Sequence, residues 1–184
     1  LNHFKSLLNK DTKILVVVKA FGYGSDAIEI AKSIQNEVSY FAVAYTDEGI
    51  ALRKAGIKTS IIVLHPQEKN LDFIIENCLE PNLYSKRILS SFIKITEKQN
   101  LNEYPVHIKF NTGLNRLGFQ ENDLEFISAE LLNNTNVKVK SIFSHLSASE
   151  DKTEQDFSNS QIHLFEKIAR NFEANFGYKP LMHM

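Results

Sequence analysis

One cysteine in 184 residues, Cys78, has no partner for an internal disulfide, and a chain so poor in thiols suits a reducing compartment. No secretory signal pattern opens the sequence, so the expected location is the cytoplasm. Long apolar runs are missing as well. Ile14–Val18 and Tyr40–Tyr45 are the longest, far short of the ~18–20 residues a bilayer-spanning helix needs, so no membrane association is expected. Neither charge sign dominates: 21 Lys plus Arg against 22 Asp plus Glu leave a net charge of −1, too little positive field for nucleic acid to be the main partner. With 7 Gly and 4 Pro the chain is neither collagen-like nor of low complexity, and 43% hydrophobic with 23% charged residues is an ordinary globular balance. No metal-ligand spacing appears among the His, Cys and carboxylate residues, so no metal is expected. The length corresponds to about one domain on the prior of ~100–200 residues, and residues 1–184 read as a single domain. Leu1 in place of an initiating Met, and Met184 directly after an apolar stretch, suggest a piece of a longer protein, incomplete at both ends.

What is present is an alternation of short β-rich runs with longer segments of helical period, the βαβα pattern of a parallel sheet covered by helices. Strands are expected near Lys13–Lys19, Tyr40–Tyr45, Ser60–Leu64, Asn82–Tyr84, Val106–Phe110, Val137–His145 and Leu181–Met184. Helices are expected near Asp26–Gln35, Asp47–Ala55, Glu68–Asn77, Lys86–Gln99, Glu121–Leu132 and Asp156–Asn175, with Ser144–Ser160 as a polar loop. Thr46 is a candidate N-cap and Gly56 a candidate left-handed stop for the same helix. Ile162, Phe165, Ala169, Phe172 and Phe176 form one apolar stripe at intervals of three and four, which reads as core. Two folds use such an alternation, the open doubly wound sheet and the closed (β/α)8 barrel. Seven strands fit the first as they stand and the second only with an eighth strand missing.

Lys19 follows the strand Ile14-Leu-Val-Val-Val, a β-branched run expected of a parallel strand buried on both faces. It therefore carries an amine to the carboxyl end of that strand, where both folds place their ligands. An amine at such a place is partly desolvated, which favours the neutral form that captures an aldehyde as a Schiff base. The plainer alternative is a lysine that snorkels to water. Gly22-x-Gly24-x-x-Ala27, with Asp47 about twenty residues on, is a permissive match to the dinucleotide-binding fingerprint, although Lys19, Ala20 and Phe21 intervene before its first glycine. Either way, glycine amides at a helix N-terminus favour a phosphate.

The stretch Val106-His-Ile-Lys-Phe-Asn-Thr-Gly-Leu-Asn-Arg-Leu-Gly-Phe119 separates the two folds. Period 2 puts Val106, Ile108 and Phe110 on one face and His107, Lys109 and Asn111 on the other. A sheet covered by helices on both sides has no use for a polar face, whereas a barrel lumen opening on a polar site does. Lys109 is then a cation inside the protein that must be paired or neutralised. Gly113 and Gly118 flank Arg116, whose guanidinium fork fits a carboxylate or phenolate oxygen.

Val18-Lys-Ala-Phe-Gly-Tyr-Gly, the Lys109–Phe119 stretch, Phe143-Ser-His-Leu-Ser-Ala-Ser and the closing His183-Met occur in the order and approximate spacing of the alanine racemases, which the chain resembles through nearly its whole length. The resemblance implies a (β/α)8 TIM-type barrel, truncated after about seven strands, whose cofactor is pyridoxal 5'-phosphate. It implies that Lys19 carries the cofactor and serves as a proton-transfer base, that Tyr23 bonds the phosphate, and that Arg116 reaches the phenolic oxygen and the substrate carboxylate. Lys109 matches a lysine that many members carry carbamylated, and His145 matches the histidine beside the pyridine ring. Departures from the pattern are Phe21-Gly22 for Asn-Ala, Asn111 for Asp and Leu114-Asn115 for Met-Gly. A last strand, further cofactor ligands and a C-terminal β domain, whose tyrosine acts from the partner subunit, are expected outside these residues.

The implied function is interconversion of L- and D-alanine for peptidoglycan synthesis by a cytoplasmic homodimer, the 184 residues alone being inactive. The chain is also similar to the racemase half of fusions with the ligase that adds D-alanyl-D-alanine to the muropeptide. Alternatives are a non-catalytic pyridoxal-phosphate barrel protein and a related amino-acid decarboxylase or serine racemase, with a nucleotide-dependent oxidoreductase more distant. His3, His65, His107 and His163 have no assigned role, and Cys78 reads as a small buried hydrophobe near a helix end.

Overall fold

The structure, a computed structural model, describes residues 1–184. A short helix α1 (Asn2–Ser6) precedes β1 (Leu15–Val17), and from there the two element types alternate: α2 (Ala27–Ile34), β2 (Tyr40–Val43), α3 (Thr46–Lys54), β3 (Ser60–Val63), α4 (Leu71–Glu76). The series continues through β4 (Glu80–Leu83), α5 (Lys86–Lys98), β5 (Tyr104–Lys109), α6 (Leu124–Leu131), β6 (Val137–Phe143), α7 (Gln155–Phe176) and β7 (Leu181–His183). All seven expected strands are present and all are parallel, in the spatial order of the chain from β1 to β7. That order has no switch point, which rules out the doubly wound sheet. The sheet also curls. The rings of Tyr40 on β2 and His107 on β5 meet at 5.7 Å although their strands are not neighbours, and residues of β1, β5 and β7 line one internal cavity. This is a (β/α) barrel one strand short of the closed eight, open between β1 and β7. No helix is long and apolar enough to cross a membrane.

The core lies between the outer face of the sheet and the helices. Phe41, Val43, Ile61, Val63, Val106 and Ile108 point outward from their strands against Leu52, Ile74, Leu89, Phe92, Ile127 and Phe172, all within one continuous apolar cluster. Full burial of each such side chain is worth roughly 1.5–3 kcal/mol, so this layer supplies the main stabilisation and leaves the lumen free for polar groups.

Several local expectations change. β1 is not buried on both faces: it is an edge strand beside the gap, and Val17 is 37% exposed. Tyr45, not Thr46, occupies the N-cap position of α3, and the carboxylate of Glu48 accepts from the Tyr45 amide at 3.1 Å. Thr46 is buried with an unpartnered hydroxyl. Gly56 does end this helix in the left-handed region (φ +88°). In the α7 stripe, Phe165, Ala169 and Phe172 are core together with Ile168, but Ile162 is exposed and the buried position one turn before Phe165 belongs to Gln161, because four residues at about 100° each return closest to the same face. α7 begins at Gln155, inside the expected loop. Cys78 is exposed: it follows the end of α4 with φ +50°, and its carbonyl is held by Arg53 Nη2 at 2.8 Å, so the thiol turns to solvent.

Candidate active site

At the carboxyl ends of the strands a cavity of about 690 Å³ opens inside the curl of the sheet. Lys19, Tyr23, Lys109, Arg116 and His145 all line it, so residues spread over 127 positions of sequence share one space. Four cationic side chains, Lys13, Lys19, Lys109 and Arg116, face this cavity and no carboxylate does. Lys109 is 7% exposed, has the Phe143 ring 5.8 Å from its nitrogen and makes no ion pair; burial, then Arg116, then Lys19 push its pKa down. The pKa values of His65 and His145 are lowered by burial first and then by the same three cations, which disfavours the charged form of both imidazoles. Two buried polar atoms in the lining, His65 Nδ1 and Asn82 Oδ1, have no hydrogen-bond partner. A cavity with surplus positive charge and unpartnered polar atoms is complementary to an anionic, hydrogen-bonding ligand.

The backbone that delivers Lys19 is unusual. Ala20, Phe21, Gly22 and Tyr23 all have φ between 51° and 62°, one turn of left-handed helix closed by the Gly22 amide on the Val18 carbonyl at 3.0 Å. Such a turn costs about 1–2 kcal/mol for each non-glycine residue, so something must hold it. Glu48 does: its carboxylate accepts from the Ala20 amide at 2.7 Å and from the Ala44 amide at 2.6 Å, tying the turn to the end of β2. Gly22 is required for space as well as φ, since a Cβ there would lie 2.9 Å from Ile30 Cδ1 and 3.0 Å from the Ala27 nitrogen.

The same turn corrects the phosphate expectation. The glycine amides are consumed within it, and the N-terminus of α2 is capped by Asp26, whose Oδ1 accepts from Ile28 at 2.9 Å and Glu29 at 3.2 Å. A carboxylate therefore stands where a dinucleotide pyrophosphate would need free amides, and the fingerprint reading of Gly22-x-Gly24-x-x-Ala27 fails.

Arg116 projects from a loop built around Asn111. Asn111 Oδ1 accepts from the Gly113 and Asn115 amides at 3.2 and 2.9 Å, while the Phe119 amide reaches back to the Lys109 carbonyl at 2.8 Å. A carboxylate could accept the same two bonds, so Asn for Asp preserves the loop. Gly118 is a true requirement: at φ +131° a Cβ would stand 2.7 Å from Asn111 N and Phe110 C. His145 is positioned from α7, where Gln161 Nε2 donates to the His145 carbonyl at 3.3 Å and to Thr112 Oγ1 at 3.4 Å, joining the loops after β5 and β6.

The "Alanine racemase, N-terminal domain" family pattern matches residues 1–184. The chain belongs to this family. The alanine racemase of Thermodesulfovibrio yellowstonii is 37% identical over 173 residues, 94% of this chain and 46% of that protein. Alanine racemase 1 of Caldanaerobacter subterraneus is 32% identical over 185 residues, 98% of this chain and 47% of that protein. A solved alanine racemase of Clostridium difficile 630, in complex with cycloserine, superposes with a TM-score of 0.92 at 28% identity, covering 99% of this chain and 50% of that one. The chain spans about half the length of the relatives it matches. For a member of the alanine racemase family, five features of this site went unread in the sequence: Glu48, His65, Asn82, Gln161 and the cationic surplus itself. Only Glu48 had a sequence signal, an acid in the first turn of a helix beside a strand end.

Proposed function

We propose that the protein to which this chain belongs is a pyridoxal-phosphate-dependent racemase interconverting L- and D-alanine. The observation that carries this reading is the shared cavity: Lys19 and Arg116, from opposite parts of the chain, face one cationic, carboxylate-free space at the strand ends. Pyridoxal phosphate brings a phosphate and a phenolate, and an amino acid adds a carboxylate, so the ligands supply the missing negative charge. When bound, the cofactor supplies an electron sink that lowers the cost of removing the α-proton.

Lys19 would hold the cofactor through its amine and then move the α-proton on one face. The Tyr23 hydroxyl would donate to the phosphate, taking over from the helix amides that Asp26 occupies. Arg116 would grip the phenolic oxygen and the substrate carboxylate with its planar fork. His145, whose charged form is disfavoured by burial and then by its cationic neighbours, would pack beside the ring without competing for anionic groups. Lys109 is a candidate for carbamylation: its neutral amine adds to carbon dioxide, one proton leaves, and the product is an anion able to pair with Arg116. The base for the opposite face would come from a tyrosine outside this chain, in a partner subunit of a homodimer. These 184 residues alone would then have little or no activity, and the whole enzyme would serve peptidoglycan synthesis in the cytoplasm.

Titration with pyridoxal phosphate, followed by borohydride reduction and peptide mass measurement, tests the reading. The cofactor's visible absorption should appear and the reduced adduct should map to Lys19. Lys19→Ala in the full-length protein should abolish the band and lower racemisation on the order of 10³-fold or more. An adduct on another lysine, or alanine turnover untouched by the substitution, would overturn it. A mass gain of one carbon dioxide on Lys109 tests the carbamate separately.

A further inference from the structure

Below the cofactor cavity, four side chains from four successive strands form an unbroken polar row across the lumen. Glu80 Oε2 on β4 lies 2.8 Å from His107 Nε2 on β5, and His107 Nδ1 lies 2.6 Å from Ser141 Oγ on β6. Ser141 Oγ in turn lies 3.5 Å from His183 Nε2 on β7. Glu80, His107 and Ser141 are buried, and His107 has no exposed surface at all. His183 is half-buried, stacked on the Phe143 ring at 4.5 Å, and lines both the lower lumen cavity and the cofactor cavity above it. None of the roles assigned above uses this row.

The row has a direction, and one group sets it. An ionised carboxylate has no proton to give, so Glu80 accepts and His107 Nε2 donates. The remaining nitrogen of His107 faces only the Ser141 hydroxyl, which can donate to it, so no second proton is needed on the fully buried ring. Ser141 has one proton and directs it to His107. Its lone pair is then left to accept from His183 Nε2–H. A neutral imidazole carries a single N–H, so His183 Nδ1 is a bare acceptor. A second proton on His107 would reverse every step after it and place the His183 proton on Nδ1 instead.

We propose that Glu80, His107 and Ser141 are positioning residues that hold His183 uncharged, with its proton on Nε2, so that it presents an acceptor nitrogen at the edge of the cationic cavity. The chemical partner of such a nitrogen is an N–H donor, not an anion. The relevance of this to racemisation rests on the function proposed above; the tautomer does not.

The test is two-bond ¹H–¹⁵N spectroscopy of the imidazole rings in histidine-labelled protein at neutral pH, recorded without pyridoxal phosphate, with His183→Gln to assign the signals. The wild type should show both His107 and His183 as single Nε2–H tautomers. In Ser141→Ala, His183 should shift to a mixture of both tautomers while His107 keeps its own. Glu80→Gln, close to isosteric, should release both rings and stands in if Ser141→Ala does not fold. His183 protonated on Nδ1 or on both nitrogens in the wild type overturns the proposal. So does a His183 tautomer that stays single and unchanged in the variants; a purely structural role would lower the melting temperature without moving these nitrogen signals. Failure to bind pyridoxal phosphate would sink the racemase reading and leave the relay standing.

Discussion

His107 and Lys109 sit two residues apart on the lumen face of β5, both buried, and the chain treats them in opposite ways. His107 has a partner on each nitrogen and the edge of Tyr40 against its ring. Lys109 has an aromatic ring and two repelling cations. A satisfied polar layer one step down the barrel behaves as structure, while an unsatisfied one at the mouth is a standing demand for a ligand. The difference separates a stabilising floor from a reactive site on a single strand, and it can be broken by experiment.

Removing His107 should cost most. His107→Leu leaves Glu80 ionised and buried, and breaking such a buried pair costs about 3–5 kcal/mol, read as a lower midpoint in urea unfolding. A variant as stable as the parent would mean the floor is not structural.

Acid should act next, through the same floor. Burial pushes His183 down to about 4. The fold therefore favours its neutral form: that contribution is complete above the unfolded value near 6.5 and is lost as pH falls from there through 4, about 3 kcal/mol in all. Glu80 acts in the same sense at lower pH. Burial raises its pKa, but His107, the Ser60 hydroxyl and Lys140 together outweigh burial and hold it below the usual carboxylate value, so its contribution is lost as pH drops beneath that value. Unfolding midpoints at a series of pH values should decline on this slope, and His183→Gln should flatten its upper part.

The smallest effect has the opposite sign. Lys109→Met removes an unpaired buried cation and fills similar volume, so the cofactor-free protein should be unchanged or more stable by about 1 kcal/mol, measured by thermal unfolding, while affinity for pyridoxal phosphate falls. A marked loss of stability would show that Lys109 has a partner after all.

Six of the seven strands were readable as short apolar runs bracketed by turn chemistry, β4 (Glu80-Pro-Asn-Leu) being the exception, and the polar face of β5 followed from period 2 alone. Lys19 and Arg116 were readable because a charge placed at the end of a buried strand or between two glycines is conspicuous in one dimension. The left-handed turn at Ala20–Tyr23 was not, since only one of its four residues is a glycine and the bond that holds it comes from Glu48, 28 residues away. The phosphate role of the glycine loop was misread for the same reason: Asp26 appears in the sequence as one more polar turn residue, and only its hydrogen bonds show that it has closed the helix end. Cys78 was placed by its neighbours in sequence, but its exposure depends on Arg53 gripping the backbone around it.

The amino-acid order by itself determined the alternation of elements, the side of β5 that meets the helices, and the residues able to capture an aldehyde or grip a carboxylate, because periodicity and side-chain chemistry are local properties. The tertiary structure decided that the sheet curls rather than lies open, which brings strands β1 and β5 to one cavity and leaves its cations without counter-charges. It also decided which polar groups are satisfied, because a hydrogen bond between strands far apart in the chain exists only once the curl has brought them together.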